Sequence, residues 1–190
     1  HLSIRRQRQM CIRDSTNSAR NFQREETERY AGSRGDPAKM VANYAGVATG
    51  NDARNDIIVR GNSPLGVLWR LENTDIPSPN HFSSQGATGG PVSILNNNLL
   101  GGSDFLTGAF PAEYGNKMAA VFDLKLRNGN NEKREFTGQF GLNGLETGLE
   151  GPISKKNGSS FLLNYRYSTL KLFQLMGISF GVSGLPQYQD

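Results

Sequence analysis

From Phe136 onward, apolar and polar positions alternate with a period of two residues, which is typical of β-strands. Asn143-Gly144 predicts a tight hairpin turn, because a type I′ turn needs positive φ at both central residues. Three groups of positions share the less polar face: Phe136, Gly138, Phe140 and Leu142; then Leu145, Thr147, Leu149 and Ile153; then Phe161, Leu163, Tyr165 and Tyr167. The pattern predicts three antiparallel strands with one apolar and one largely polar face.

Two architectures share this alternation. The strands of a transmembrane barrel face lipid on one side and a wet channel on the other. A solvent-facing sheet that covers an ordinary core has the same period. The strands approach the roughly nine to eleven residues that cross a bilayer at a tilt. Tyr165 and Tyr167 also fit an interfacial aromatic girdle. These two features favour the membrane, and the alternation alone leaves both architectures open.

The preceding part of the chain predicts a mixture of helices and strands. Asp36-Pro37 is typical of a helix start, since aspartate caps the first turn and proline is tolerated at its first position. Gly32 stands where a C-terminal cap belongs. We expect helices over residues 22–31, from Pro37 to Gly46 and over 92–100, strands over 57–59, 67–71, 104–107 and 121–126, and a loop over 72–91. This order predicts a small α/β domain.

The first 17 residues differ from the rest in composition. Residues 1–15 carry four arginines and one aspartate, a net charge of +3 out of the formal +4 of the whole chain. The string MCIRDS resembles translated sequencing adapter, so we expect residues 1–17 to be a disordered or non-native leader. Because no aromatic residue is interleaved with the arginines, the basic balance does not predict a nucleic-acid partner.

Reactive side chains are too few and too scattered to predict a catalytic or metal site. The two histidines are His1, in the leader, and His81, so no histidine cluster can bind zinc. Cys11 is the single cysteine, which excludes an internal disulfide. We therefore expect no enzyme activity, no metal and no cofactor. No run approaches the roughly eighteen apolar residues of a membrane-spanning helix, so any bilayer contact would need strands.

Several stretches, in their order and spacing, resemble the TonB-dependent receptor family of bacterial outer membranes, particularly its Bacteroidetes branch. They are DPAKMVANYAGV, NDIIVRGNSP, LWRLENTDIP, LNNNLLGGSDFLTGAFPAEYGN and AAVFDLKLRNGN, followed by the strands from Phe136. The resemblance implies an α/β plug domain over residues 18–131, folded inside the barrel. It also implies the first antiparallel strands of a truncated transmembrane β-barrel over residues 132–190.

The resemblance identifies positions in this chain that correspond to motifs of the family. Glu72 and Asn73 stand where other members have an acidic residue followed by glycine, and asparagine tolerates left-handed turn geometry. The family's arginine-glycine-proline stretch reads Thr107-Gly108-Ala109 here, so no role of that arginine is carried over. The matching positions are Arg60, Gly61, Glu72, Asn73, Glu113, Tyr114 and Gly115.

The loop over residues 77–91 is the candidate ligand-facing apex. Its candidate side chains offer hydrogen bonding and stacking, and they are Asn80, His81, Phe82 and Gln85. An ordinary solvated or wall-packed loop is the alternative. We also expect Arg60 to pair with a barrel carboxylate, and Glu146 and Glu150 to face the channel.

By this resemblance, the chain belongs to a receptor in the bacterial outer membrane that imports a surface-bound ligand by energy-coupled plug movement. The implied partners are the TonB energy-transducing complex, outer-membrane lipid and a small ligand. Iron chelates, cobalamin, glycans and peptides all stay open as ligands. A non-transport adhesin or a soluble structural β-protein would explain the strands, but not the preceding α/β segment. We expect the isolated chain to be insoluble or partly disordered after about Ser168, since its last strand would be an unpaired edge.

Overall fold

The computed structural model describes residues 19–30, 32–33, 35–51, 54–83, 88–108, 110–141, 144–154, 156–169 and 187–190. The leader over residues 1–17, Gln85 and Asn143 lie outside these ranges. The chain divides into two units, the first ending at Leu126 and the second beginning at Arg127. Strands dominate both units and helices are few, which corrects the predicted α/β balance, and the described strands form no closed barrel. No described helix is long and apolar enough to cross a membrane.

The first unit is built around a five-stranded mixed sheet in the order β1-β8-β9-β4-β5, in which only β4 and β9 are parallel neighbours. Two short pairs, β2-β3 and β6-β7, stand apart from it. The elements are β1 (Ala19–Phe22), α1 (Arg24–Arg29), α2 (Pro37–Val41), β2 (Val47–Thr49), β3 (Ile57–Val59), a 3-10 turn (Pro64–Gly66), β4 (Val67–Leu71), β5 (Thr74–Ile76), β6 (Asn80–His81), β7 (Val92–Ser93), β8 (Ser103–Leu106) and β9 (Ala120–Leu124).

The core of this unit lies against one face of the sheet. The Trp69 ring stacks on Phe122 with centroids 4.0 Å apart, and Phe105 packs on Phe122 at 4.6 Å. Such aromatic pairs contribute about 0.5–1.5 kcal/mol beyond the area that they bury. Met40 and Val41 of α2 are completely buried in the same core. The helix therefore covers the aromatic centre of the sheet.

The predicted start of α2 is confirmed. The Asp36 carboxylate accepts a hydrogen bond from the Ala38 amide at 2.8 Å, and Pro37 occupies the first helical position. The helix ends at Val41, earlier than expected, and the chain continues as turns to Gly46, whose φ is +80°. The predicted charged helix is also present, as α1, and Gly32 has positive φ after it.

The predicted helix over residues 92–100 is wrong. Ser93 Oγ accepts from the Leu95 amide at 3.1 Å, and the Asn96 side-chain oxygen accepts from the Asn98 amide at 2.8 Å. These local side-chain bonds replace helical backbone bonds, so only the two-residue β7 forms there. The loop predicted over residues 72–91 likewise contains β5 and β6, and the strand β1 was not predicted.

The second unit confirms the three predicted antiparallel strands, β10 (Glu135–Gly141), β11 (Gly144–Ser154) and β12 (Ser159–Tyr167), in that order. Gly144 pairs with Gly141, so it belongs to β11 and was wrongly predicted as a turn residue. The prediction of an unpaired last strand is also wrong at its end. The Arg166 amide donates to the Asp190 carbonyl oxygen and the Ser168 amide to the Tyr188 carbonyl oxygen, both at 3.0 Å.

Candidate functional site

One face of the three-stranded sheet is apolar and exposed. The register places Phe136, Leu149 and Leu163 in one row across the strands, and Phe140, Leu145 and Tyr167 in another, with Tyr165 between the rows on β12. We call these seven residues the apolar sheet face. Phe136 is 83% exposed and Leu163 is 63% exposed. Among the described residues of the second unit, no layer covers this face, which is typical of a surface that binds a partner or a membrane.

The opposite face is polar, and Glu146 and Glu150 lie on it. That this face lines a channel stays a prediction. The Glu150 carboxylate is buried and accepts two hydrogen bonds from the Arg127 guanidinium, at 2.8 and 2.9 Å. It also accepts from the Asn130 amide at 2.8 Å. Glu146 accepts from the Asn164 side-chain amide at 3.0 Å. The Glu150 carboxylate thus fixes the segment that precedes β10.

The base of the 77–91 loop is held by buried polar side chains. Asn80 is buried, and its side-chain amide donates to the Thr88 carbonyl oxygen at 2.7 Å while its oxygen accepts from Asn55. Arg54 donates to the Gly89 carbonyl oxygen at 2.7 Å and to Asp56, also at 2.7 Å. Asn80 therefore serves the loop's internal structure. Sequence reasoning missed Asn55 and Arg54, because the segment around them is simply polar.

His81 and Phe82 follow directly from this base. Their rings lie 5.9 Å apart at an interplanar angle of 43°. Phe82 is 50% exposed and has a φ of 55°, which is uncommon for a bulky residue. A non-glycine residue in this conformation costs on the order of 1–3 kcal/mol and tends to occur at functional sites. Of the four candidate side chains, His81 and Phe82 are the two described ones that can meet a ligand at the surface.

Glu72 and Asn73 form the turn between β4 and β5, and both have positive φ, 47° and 65°. Asn73 thus adopts the left-handed geometry expected for it. The Glu72 carboxylate accepts from the Leu126 amide at 2.6 Å, and the Asn73 oxygen accepts from the Lys125 ammonium at 3.0 Å. The turn is therefore fastened to the residues that follow β9.

Arg60 and Gly61 form a second left-handed turn, at the end of β3, with φ values of 51° and 76°. The Arg60 amide donates to the Gly46 carbonyl oxygen at 2.8 Å. A Cβ added at Gly108 would lie 3.0 Å from the Arg60 guanidinium, so the arginine lies over the chain there. Its pairing with a barrel carboxylate stays a prediction.

Tyr114 contacts the middle of a polar row. Its hydroxyl donates to the Asp123 carboxylate at 3.2 Å, and the Arg70 guanidinium lies 5.2 Å from its ring centroid. Burial, followed by the charge of Asp123, raises the pKa of Tyr114 to about 12. Its neighbours Glu113 and Gly115 are exposed. The row itself crosses all five strands and consists of Asn21, Asp104, Asp123, Arg70 and Asp75.

No protein-family model and no curated protein matches the chain. Among solved structures, its fold is similar to a mutant ferric enterobactin receptor from Pseudomonas aeruginosa in complex with enterobactin, with a TM-score of 0.51 and 15% identity. The match covers 80% of this chain and 25% of that chain, so this chain spans about a quarter of the receptor. That protein is a TonB-dependent receptor of the outer membrane. At this identity the similarity shows the fold alone, a mostly β architecture with a mixed sheet.

Proposed function

We propose that the chain is part of a TonB-dependent outer-membrane receptor, with a plug over residues 18–131 and the first barrel strands over residues 132–190. The observation that carries the proposal is the apolar sheet face. Its rows run across strands of 7, 11 and 9 residues, close to the roughly nine to eleven needed to cross a bilayer at a tilt. A soluble sheet would bury such a face under its own core, which favours the membrane over the soluble alternative.

The receptor would bind its ligand at the cell surface and import it by movement of the plug, coupled to the TonB energy-transducing complex. This part of the proposal is supported by the sequence resemblance and by the similar fold of the ferric enterobactin receptor. His81 and Phe82 are the proposed ligand contacts of the plug. An exposed aromatic ring can stack on a planar ligand, and the imidazole beside it can form hydrogen bonds with the ligand's polar rim.

Membrane fractionation tests the location. Cells that produce the protein are broken, and their inner and outer membranes are separated by density. We expect the protein in the outer-membrane fraction, resistant to a carbonate wash that strips peripheral proteins. Recovery from the soluble fraction would contradict the proposal and favour the soluble structural protein.

The ligand class is tested separately by calorimetric titration of the chain, kept in detergent, with ferric enterobactin as the probe for an iron chelate. We expect Phe82→Ala to weaken binding at least about tenfold, the loss of one stacked, partly desolvated ring. Leu65→Ala is the matched control, since Leu65 is an exposed apolar residue elsewhere in the same unit. Absence of binding to the unsubstituted chain would exclude iron chelates as the ligand class, and glycans, peptides and cobalamin would stay as candidates.

A further inference from the structure

Three segments that are distant in sequence converge on the side chain of Asn55. Its amide nitrogen donates to the Asp36 carboxylate at 2.7 Å and to the Asn80 side-chain oxygen. Its amide oxygen accepts from the Gly90 amide at 2.8 Å, and its backbone N–H donates to the Gly90 carbonyl oxygen at 3.2 Å. One side chain therefore holds the start of α2 and both arms of the 77–91 loop.

The arrangement leaves no room for an alternative partner. Asn55 is only 3% exposed, and a Cβ added at Gly90 would lie 2.7 Å from the His81 carbonyl oxygen, so the two arms are in close contact. Burial raises the pKa of the Asp36 carboxyl, and the hydrogen bond from Asn55 opposes that rise. A buried carboxylate that loses such a bond keeps the full cost of its desolvation. The Asn55 side chain thus links both arms to the carboxylate that caps α2.

We propose that Asn55 is the positioning residue of the 77–91 loop, and that it couples both arms of the loop to the start of α2 through Asp36. The inference rests on the proposed function only in treating this loop as ligand-facing. Asn55 fixes Asn80, the residue before His81 and Phe82, and it fixes Gly90 on the returning arm. A ligand that shifts either arm would therefore also loosen the first turn of α2.

Complementary substitutions can separate this coupling from simple damage. Asn55→Asp keeps the oxygen that accepts from Gly90 but turns a second oxygen toward Asp36, so an acceptor meets an acceptor. Asp36→Asn keeps an oxygen for the Ala38 amide but turns an amide toward Asn55, so a donor meets a donor. The double exchange places a donor opposite an acceptor again between positions 36 and 55, whereas the bond from position 55 to the Asn80 oxygen stays lost. Asn43→Asp is the matched control, because the described hydrogen bonds of the Asn43 side-chain amide go to the Lys39 and Met40 carbonyl oxygens of α2 and not to the loop.

The measurement is hydrogen–deuterium exchange of the full chain in detergent. We expect each single variant to raise amide exchange at residues 88–90 and 38–42 at least about tenfold. The double exchange should recover most of the protection at residues 38–42, where the bond between positions 36 and 55 is restored. Amides of β8 and β9 report global unfolding. If Asn55→Asp unfolds the unit, the proposal is tested by amide exchange in Asp36→Asn instead.

Three outcomes would overturn the proposal: single variants that behave like Asn43→Asp, loosening of the loop without loosening of α2, or a double variant no better protected at residues 38–42 than the singles. The measurement needs neither ligand nor membrane. A negative result would therefore remove the positioning role of Asn55, whereas the membrane location in the proposed function is tested separately by fractionation.

Discussion

Leu163, in a row of the apolar sheet face, offers the sharpest test of lipid contact. It keeps 63% of its surface exposed. Full burial of a leucine contributes about 1.5–3 kcal/mol, so transfer of the exposed part from water to hydrocarbon contributes about 1–2 kcal/mol. We therefore expect Leu163→Ala to lower the partition coefficient of the chain into phosphatidylcholine vesicles roughly five- to thirtyfold. Leu163→Lys should lower it further, since a lysine facing lipid at the midplane costs about 2–4 kcal/mol.

The assay is flotation of the refolded chain with vesicles in a density gradient, over a series of lipid concentrations. Gln139→Ala is the matched control, because Gln139 is exposed on the polar face of the same sheet. Equal partitioning of the Leu163 and Gln139 variants would refute the reasoning. So would a loss of about 2–5 kcal/mol in the free energy of unfolding in Leu163→Ala, because that range belongs to a leucine buried in a protein core.

Three further predictions concern single contacts. A Cβ at Gly129 would lie 2.2 Å from the Phe161 carbonyl oxygen, so Gly129→Ala should lower the free energy of unfolding of the sheet by at least about 2 kcal/mol in a denaturant titration. Gly138→Ala should leave the free energy of unfolding unchanged, because a Cβ there would have open space around it. Arg127→Ala removes the ion-pair partner of the buried Glu150 carboxylate and should lower the free energy of unfolding by about 3 kcal/mol in the same titration. Lys133→Ala, at an exposed ion pair, should not change it measurably. Burial raises the pKa of Tyr44 and Tyr114 to about 12. The contribution of these neutral tyrosines to the free energy of unfolding should be complete below pH 10 and lost as the pH rises to about 12. Tyr→Phe at each position should remove one late step from the tyrosinate absorbance titration.

Sequence predicted the features whose cause is local. The Asp36 cap forms within one turn of the chain, so Asp36-Pro37 located the helix start. The alternation from Phe136 reports side-chain direction directly, so the three strands and their apolar face followed from it. Even the left-handed Asn73 could be expected from its residue type.

The failures have non-local or competing causes. Residues 19–22 form a strand only because β8 offers an edge, and nothing in their own sequence indicates that partner. Residues 92–100 carry helix-like apolar spacing, but the side chains of Ser93 and Asn96 bind nearby amides and divert the backbone. Asn55 was missed for the same kind of reason, since its importance lies in three partners that only the fold brings together.

The position of β9 has a consequence for how the first unit is made. It is the last strand of this unit along the chain, yet it lies at the centre of the sheet between β8 and β4, with all five residues buried. Parallel partners such as Val67 and Ala120 can meet only after the long connection between them exists. During synthesis from the N-terminus, the sheet therefore cannot form until β9 has been made. Until then Trp69 and Phe105 lack Phe122, which packs between them in the folded unit. Holding chaperones would be needed over just that interval.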